Sequence, residues 1–411
     1  FVEKSIDILV FGATGYTGQY VVNELAKLAK KYGGLTWGIA GRNKDKLQGV
    51  LRKTSEKTGT IPSDPESLKA MTSRTKVLVN CCGPYRFLGE AVVKACIESG
   101  THHLDISTEP QYMELMQLKY HKAAEEKGVY VISACGFASI PTDLGTVYLQ
   151  KNFEGKIQCP PSVSSINYSS MVSILGALAH FGTWESVVYW FAHWYELWRI
   201  RSKLNKQKLP ALRPKLIQWP FILNNEIVRG PWCLTFWSVD KSVIERSQRH
   251  FFEKNEQRPA QINTYFVVSN FLIVIGLFIL GLVFLLMSQC CLGRKLLLKY
   301  PKVFTCGFVS HEGPTEEILT FSKKNCHLFC IVKYLIFTPG YGFTALSLIL
   351  CSIMTLKESG NMPGRGGVLP PAAAFRKTSL IEQLMQHDVK FEVTSSEVVP
   401  VKRSCCLSMC V

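Results

Sequence analysis

Three glycines set the strongest constraint on this chain. Gly12, Gly15 and Gly18 lie between an apolar run at residues 6–11 and an amphipathic stretch at 19–31, which carries Val21, Val22, Leu25 and Leu28 on one face. The run reads as a buried strand and the stretch as a helix. Between a strand and a helix, the spacing G-x-x-G-x-x-G has a physical use. The first glycine permits a tight turn, the second lets backbone approach a pyrophosphate, and the third lets helix and strand pack closely. The helix N-terminus adds free N–H groups and a partial positive charge. A tight turn without a ligand is the competing reading of the same residues.

More units of this kind follow. Apolar runs at 36–40, 77–82, 102–106 and 129–134 alternate with helical patterns at 44–54, 90–99 and 111–127. The alternation predicts an α/β fold of Rossmann type, a doubly wound and mostly parallel sheet. It places a dinucleotide-binding domain at residues 1–150. A globular pattern returns at 364–393, with glycine and proline turns, a helix near 379–387 and a strand at 391–393.

Open α/β sheets bind ligands at the carboxyl ends of their strands. The second strand ends in Ala40, Gly41 and Arg42, with Asn43 and Lys44 beside them. An acidic residue there would bond a ribose 2′-OH and favour NAD(H), whereas a guanidinium suits a 2′-phosphate. The expected cofactor is therefore NADP(H), held by Gly12, Thr14, Gly15, Thr17, Gly18 and Arg42. A solvated surface arginine is the other reading of Arg42. The next strand exits through Gly83, Pro84 and Tyr85, which join the cofactor contacts. Gly83 and Pro84 enforce a sharp exit, and Tyr85 either meets a nicotinamide or caps the core. Asp105, Ser107 and Glu109 leave the following strand at the same edge. Tyr85, Asp105 and Glu109 are candidates for acid–base work. The two carboxylates serve equally as caps of the helix that follows. None of the three is singled out as catalytic.

The rest of the chain points towards a lipid surface. Lysines and arginines number 47 against 31 acidic residues, a net charge of +16 that favours anionic partners. No charged side chain occurs between residues 259 and 293, and the apolar stretch 265–287 is long enough to cross a bilayer. It reads as a spanning helix, as a hairpin or monotopic anchor bent at Gly276 and Gly281, or as a buried core helix. A second apolar segment, 327–354, is broken by Lys333 and by Pro339 and Gly340. Residues 199–215 hold seven basic side chains and no acid, and they follow Trp184, Trp190, Trp194, Tyr195 and Trp198. Tryptophans followed by basic residues suit an anionic lipid surface. A solvated basic loop is the alternative, and no nucleic-acid partner is expected because no recognised module accompanies the charge. Cys290 and Cys291 flank the apolar stretch, where acylation would reach them. The 15 cysteines show no C-x-x-C framework and no zinc spacing. No metal site is expected, and reduced thiols in a cytosol-facing protein are. The opening residues carry no charged segment followed by an apolar one, so no secretory leader is expected.

Taken in order, Gly-Ala-Thr-Gly-Tyr-Thr-Gly from Gly12, Ala-Gly-Arg ending at Arg42, Asn-Cys-Cys-Gly-Pro-Tyr ending at Tyr85, Asp-Ile-Ser-Thr-Glu-Pro-Gln from Asp105 and Gly-Phe-Ala-Ser-Ile-Pro-Thr-Asp-Leu-Gly from Gly136 resemble the saccharopine dehydrogenase-like oxidoreductases of animals. The likeness extends to the stretch from Glu114 to His121, to Gly366, Gly367 and Val368, and to the segment from Pro371 to Phe375. It implies a Rossmann domain, a second, saccharopine-dehydrogenase-like α/β domain, and a C-terminal return onto the first. On that reading residues 151–360 form the substrate-type, membrane-associating region, 361–400 the return and 401–411 a tail. It also implies an oxidoreductase at a membrane or lipid droplet, with a link to glycolipid metabolism. Some segments depart from the family pattern. A strand is missing between Gly59 and Asp64, residues 169–198 are altered, an apolar run at 318–340 replaces a strand pair, and the tail is foreign. The expected function is NADP-dependent oxidoreduction of a lipid-like or other apolar small molecule at a membrane or lipid-droplet surface, inside the cell and facing the cytosol. The alternative is a membrane-anchored nucleotide-fold scaffold without turnover.

Overall fold

A computed structural model of the chain describes residues 4–58, 68–137, 139–152, 162–163, 179–207, 209–210, 221–225, 230–235, 239–255, 259–260, 262, 264–268, 270–314, 327–329, 332–336, 340–387 and 389–393. Several sequence readings fall outside them in whole or part: the gap after Gly59, the tail, Lys208, Arg213 and Lys215 of the basic stretch, and residues 169–178 and 318–326 of the altered segments.

One six-stranded parallel sheet organises the molecule. It contains β1 (Ile6–Phe11), β2 (Trp37–Ala40), β3 (Thr75–Asn80), β4 (His102–Asp105), β5 (Tyr130–Ile132) and β14 (Gly367–Leu369), in the order β14-β5-β4-β3-β1-β2. The connecting helices are α1 (Tyr16–Lys31), α2 (Lys44–Thr58), α3 (Leu68–Ser73), α4 (Tyr85–Glu98), α5 (Pro110–Glu126) and α6 (Ile140–Asn152). A strand buried on both faces reads as a continuous apolar run, and its side chains divide by period two. Ile8, Val10, Val77 and Val79 join α1 in one cluster. Leu9 and Leu78 meet Met71, Val92 and Cys96 of α3 and α4 on the other face. The chain leaves β1 towards β2 on one side and later returns to β3 on the other. The carboxyl end of β1 is thus the point where strand order reverses, the usual ligand crevice of such sheets.

The second apolar segment proves to be two things. β12 (His327–Phe329) and β13 (Val332–Ile336) form an antiparallel pair, with β15 (Val389–Val393) beside β13. The reading of 318–340 as a run that replaces a strand pair is therefore corrected for the described residues: 332–336 pair antiparallel with β12 on one side and β15 on the other. α13 (Tyr341–Lys357) then enters the Rossmann core. Phe343, Leu348 and Ile349 are fully buried in the cluster that holds Val21 and Leu25 of α1. α14 (Pro371–Phe375) and α15 (Leu380–Met385) complete that layer.

The intervening region contains β6 (Ser162–Val163), β8 (Phe221–Asn225), β9 (Gly230–Thr235) and β10 (Thr264–Val268), a four-stranded sheet in the order β6-β10-β9-β8. β7 (Ala179–His180) pairs with β11 (Val309–Ser310). Its helices are α7 (Phe181–Ala192), α8 (Trp194–Leu204), α9 (Val239–Asn255), α10 (Phe271–Gln289), α11 (Cys291–Lys299) and α12 (Pro301–Phe304). The apolar stretch expected as one helix from 265 begins as strand β10. Aromatic and β-branched residues favour a strand there, and Asn270 then starts the helix by accepting the Leu272 N–H at 2.8 Å. Only Val274 and Ser288 of α10 are buried. One flank rests on α7, where Phe284 lies 5.2 Å from Trp184 and 5.4 Å from Phe191 between ring centres.

Candidate functional site

Backbone closeness builds the glycine loop. Gly12 has φ +85°, and its N–H donates to the Ala40 carbonyl at 3.0 Å. A Cβ on Gly12 would stand 2.6 Å from Cys82 Sγ. A Cβ on Gly18 would stand 2.2 Å from the Gly12 carbonyl oxygen. Gly15 is exposed in extended conformation at the start of α1, and its N–H donates to that same oxygen at 3.0 Å. The result is a loop with bare backbone at a helix N-terminus whose first turn holds no acidic residue. Thr14 and Thr17 are half-buried on it.

Two neighbouring strand ends converge on the loop. The Cys81 N–H donates to the Phe11 carbonyl at 2.8 Å, tying the end of β3 to β1. Asn43 caps α2 through Lys46 N–H at 2.9 Å, which leaves Arg42 exposed just beyond β2. Burial pushes the half-buried Cys82 thiol up to about 11, opposed by the positive charge of Arg42. Arg42, Cys82 and Gly12 therefore share one corner. That corner fits a dinucleotide: a side-chain-free cradle, a helix N-terminus and a cation at the edge.

The turn after β3 is held from below. The Gly83–Pro84 bond is cis. Helix α4 starts at Tyr85, one turn earlier than the apolar periodicity suggests, because a distant carboxylate supplies its cap. Glu109 accepts the Tyr85 N–H and the Arg86 N–H, each at 2.9 Å, and the Ser186 hydroxyl at 2.8 Å. Burial pushes its carboxyl up, and these donors oppose the shift. Tyr85 itself lies in the core against Tyr112, and its hydroxyl donates to the Asn80 carbonyl at 2.9 Å. Asp105 is fully buried. It accepts Ser107 N–H and Ser133 hydroxyl at 2.9 Å and Tyr112 hydroxyl at 3.2 Å, so it joins the ends of β4 and β5. Burial raises its pKa to about 6. The structure thus places Tyr85, Asp105 and Glu109 within one hydrogen-bonded floor and gives each a positioning job.

Sequence reasoning missed what stands over the loop. Tyr16, between the second and third glycines, stacks on His180 at 5.1 Å and meets Tyr341 edge-on at 4.7 Å. Its hydroxyl donates to the Pro314 carbonyl at 2.7 Å, and the His180 N–H donates to the Tyr341 hydroxyl at 2.8 Å. Segments some 160 residues apart meet here, so no local spacing could announce the cluster.

Comparison with known proteins agrees with this geometry. Residues 8–132 match the family model of the saccharopine dehydrogenase NADP binding domain. A saccharopine dehydrogenase-like oxidoreductase of Rattus norvegicus is 36% identical over 97% of this chain and 99% of its own length. A Caenorhabditis elegans protein named lipid droplet localized protein is 32% identical over 95% of this chain and 98% of its own. Apo saccharopine dehydrogenase (L-Glu forming) of Saccharomyces cerevisiae shares the fold, with a TM-score of 0.51 at 10% identity over 94% of this chain and 99% of that one.

Proposed function

This chain belongs to the saccharopine dehydrogenase-like oxidoreductase family, and on that premise we propose that it moves hydride between NADP(H) and a lipid-like or other apolar substrate at a membrane or lipid-droplet surface. When bound, the nicotinamide supplies the hydride chemistry. The chain's residues do the holding. The bare backbone from Gly12 to Gly18, with Thr14 and Thr17, faces the diphosphate, and Arg42 takes the 2′-phosphate. Gly83 and Pro84 present the nicotinamide end, and Glu109 fixes their turn through the Tyr85 and Arg86 N–H groups.

One observation carries the lipid half of the proposal. Apolar α10 is joined to the site's floor through α7, whose Trp184 and Phe191 hold Phe284 while its Ser186 donates to Glu109. The relative named for lipid droplets supports the same setting. A glycolipid would suit it, with an apolar body for the surface and a polar head for the crevice. Both flanks of α10 return to one body: β10 pairs with β9, next to α9, and α11 packs on α7 through the Trp184 Nε1–H bond to the Leu297 carbonyl. We therefore read α10 as a monotopic anchor facing the cytosol, a form that a droplet monolayer accepts. Protease protection is the check. Both termini should be cleaved from the same side of sealed microsomes, and protection of one alone would sink the reading.

A second reading, a membrane-anchored scaffold without turnover, draws on the floor itself. Tyr85, Asp105 and Glu109 are all spent on structural hydrogen bonds. Fluorescence titration with NADPH, followed by oxidation assays over short-chain lipid ketones and enoyl esters, separates the two. Tight NADPH binding with substrate-dependent oxidation supports the enzyme. No NADPH binding favours the scaffold.

A further inference from the structure

Between Glu256 and Glu312 the sequence has no acidic residue. After Arg258 its next charges, Arg294, Lys295, Lys299 and Lys302, come only beyond the end of α10. There the chain turns through Cys290, in extended conformation, into α11. The corner is fixed. Arg294 Nη1 donates to the Ser288 and Gln289 carbonyls at 2.9 and 3.1 Å, which satisfies the end of α10. A Cβ on Gly293 would stand 2.3 Å from the Met287 carbonyl oxygen. Beyond the corner α11 runs almost directly into α12, since the Tyr300 N–H still donates to the Leu296 carbonyl at 2.9 Å.

The residues of α11 and α12 sort onto three faces. Gly293, Leu297 and Pro301 are buried, and the Leu297 carbonyl accepts Trp184 Nε1–H of α7 at 3.0 Å. Leu292, Leu296, Tyr300 and Val303 recur every three or four residues and so share a stripe. All four face solvent, Leu292 and Val303 at 70% exposure. Lys295, Lys299 and Lys302 are exposed alongside that stripe. Glu312, the acid that ends the run, reaches Lys302 at 3.7 Å, and an exposed pair of this kind holds its partner weakly. Leucines open to solvent and flanked by lysines are the pattern of a helix that lies in a membrane interface, where lysine stems run along apolar surface and their heads reach outward. The same corner carries more of this surface. Gln289 Nε2 donates to the Phe191 carbonyl at 3.0 Å, at the end of α7, and α8 sets out from there with Trp194, Tyr195 and Trp198 exposed.

We propose that α11 and α12 lie in the headgroup plane of a phospholipid surface, with Leu292, Leu296, Tyr300 and Val303 against the acyl chains and Lys295, Lys299 and Lys302 on anionic headgroups. The inference deepens the reading of α10 as a lipid anchor and rests on it. α10 holds the protein at a surface, and α11 with α12 selects that surface by its charge. An anionic phospholipid fits better than an acidic protein, because the exposed leucines and valine beside the cations continue the exposed apolar face of α10 with no acid between them. A lysine near an anionic membrane contributes about fivefold in affinity, and salt screens it.

Flotation of the full-length protein with liposomes tests the assignment. Wild type should bind equimolar phosphatidylcholine and phosphatidylserine at least about tenfold more tightly than phosphatidylcholine alone, and high salt should erase most of the difference. Lys295→Glu, Lys299→Glu and Lys302→Glu together should remove the preference while binding to phosphatidylcholine, melting temperature and NADPH affinity stay unchanged. Arginine at the same three positions should keep it. The net charge of +16 would itself draw the chain towards anionic liposomes. A control with the same change in net charge, Lys69→Glu, Lys122→Glu and Lys377→Glu at other exposed positions, should therefore retain the preference. A preference that survives the first triple variant, or falls equally in both, would overturn the proposal in favour of diffuse attraction. Wild type that floats equally with both liposomes refutes the role of α11 and α12 and leaves the anchor standing. Wild type that floats with neither refutes the anchor and this inference together.

Discussion

Gly18 makes the tightest approach in the loop, 2.2 Å from a would-be Cβ to its nearest neighbour. The obstacle to a Cβ is the Gly12 carbonyl oxygen, a backbone atom that cannot rotate away. Gly18→Ala should open the loop and weaken NADPH binding by about tenfold or more, since overpacking of this kind costs ~1–3 kcal/mol; fluorescence titration reads it directly. Arg42→Asp should reverse the preference between NADPH and NADH, because a charge-assisted contact worth about 1.5–3 kcal/mol becomes a repulsion. Equal affinities before and after would refute the role. These two residues were legible in the sequence because each acts from a local position, a turn or a strand end. The work of Glu109 was not, since its partners come from α4 and α7. Asp105 carries a pH signature. Its folded pKa, near 6, lies above the ordinary carboxylate value, so its protonated form is stabilised by folding. Stability from this group grows as pH falls from 6 towards 4, on the order of 3 kcal/mol, and is lost as pH rises through that window. His102 and His103, held neutral by burial, act in the opposite sense as pH falls below 6.5. The difference between wild type and Asp105→Asn in thermal melts at pH 4.5 and 6.5 isolates the carboxyl: wild type should gain on the variant at the lower pH.

Two apolar helices with opposite fates show what an element's composition can and cannot tell. α13 is wrapped on all sides, so Phe343→Ala should destabilise the Rossmann domain by about 3–5 kcal/mol, read by chemical denaturation. α10 is the reverse, with Phe278 and Leu282 each about 60% exposed. Phe278→Asp with Leu282→Asp should leave the melting temperature and NADPH affinity almost unchanged while abolishing flotation with liposomes. A melting temperature that collapses instead would mark α10 as a core helix. The β/α alternation was readable because fully buried strands give unbroken apolar runs. The split of 327–354 into hairpin and helix was less so, because an apolar run serves a strand, a core helix or a membrane helix equally, and only packing partners decide. The boundary between β10 and α10 became clear only from the Asn270 cap.

Taken whole, the nucleotide domain is discontinuous. Its sheet needs β14, and its α1 layer needs α13, both from the far end of the chain. A fragment ending at residue 152 should therefore remain unfolded by circular dichroism and fail to bind NADPH, and co-expression with residues 340–393 should restore both. Independent folding of the first fragment would contradict the arrangement of the core. The same discontinuity orders events at the ribosome. Synthesis runs at roughly 5–20 residues per second. α10 leaves the exit tunnel before α13 has been made, while the strands from β1 to β5 still lack part of their cover. On the proposed monotopic anchoring, α10 is thus available to a lipid surface first, and the cofactor cradle closes later. Newly made protein would then reach that surface as an apo-protein and acquire its nucleotide there.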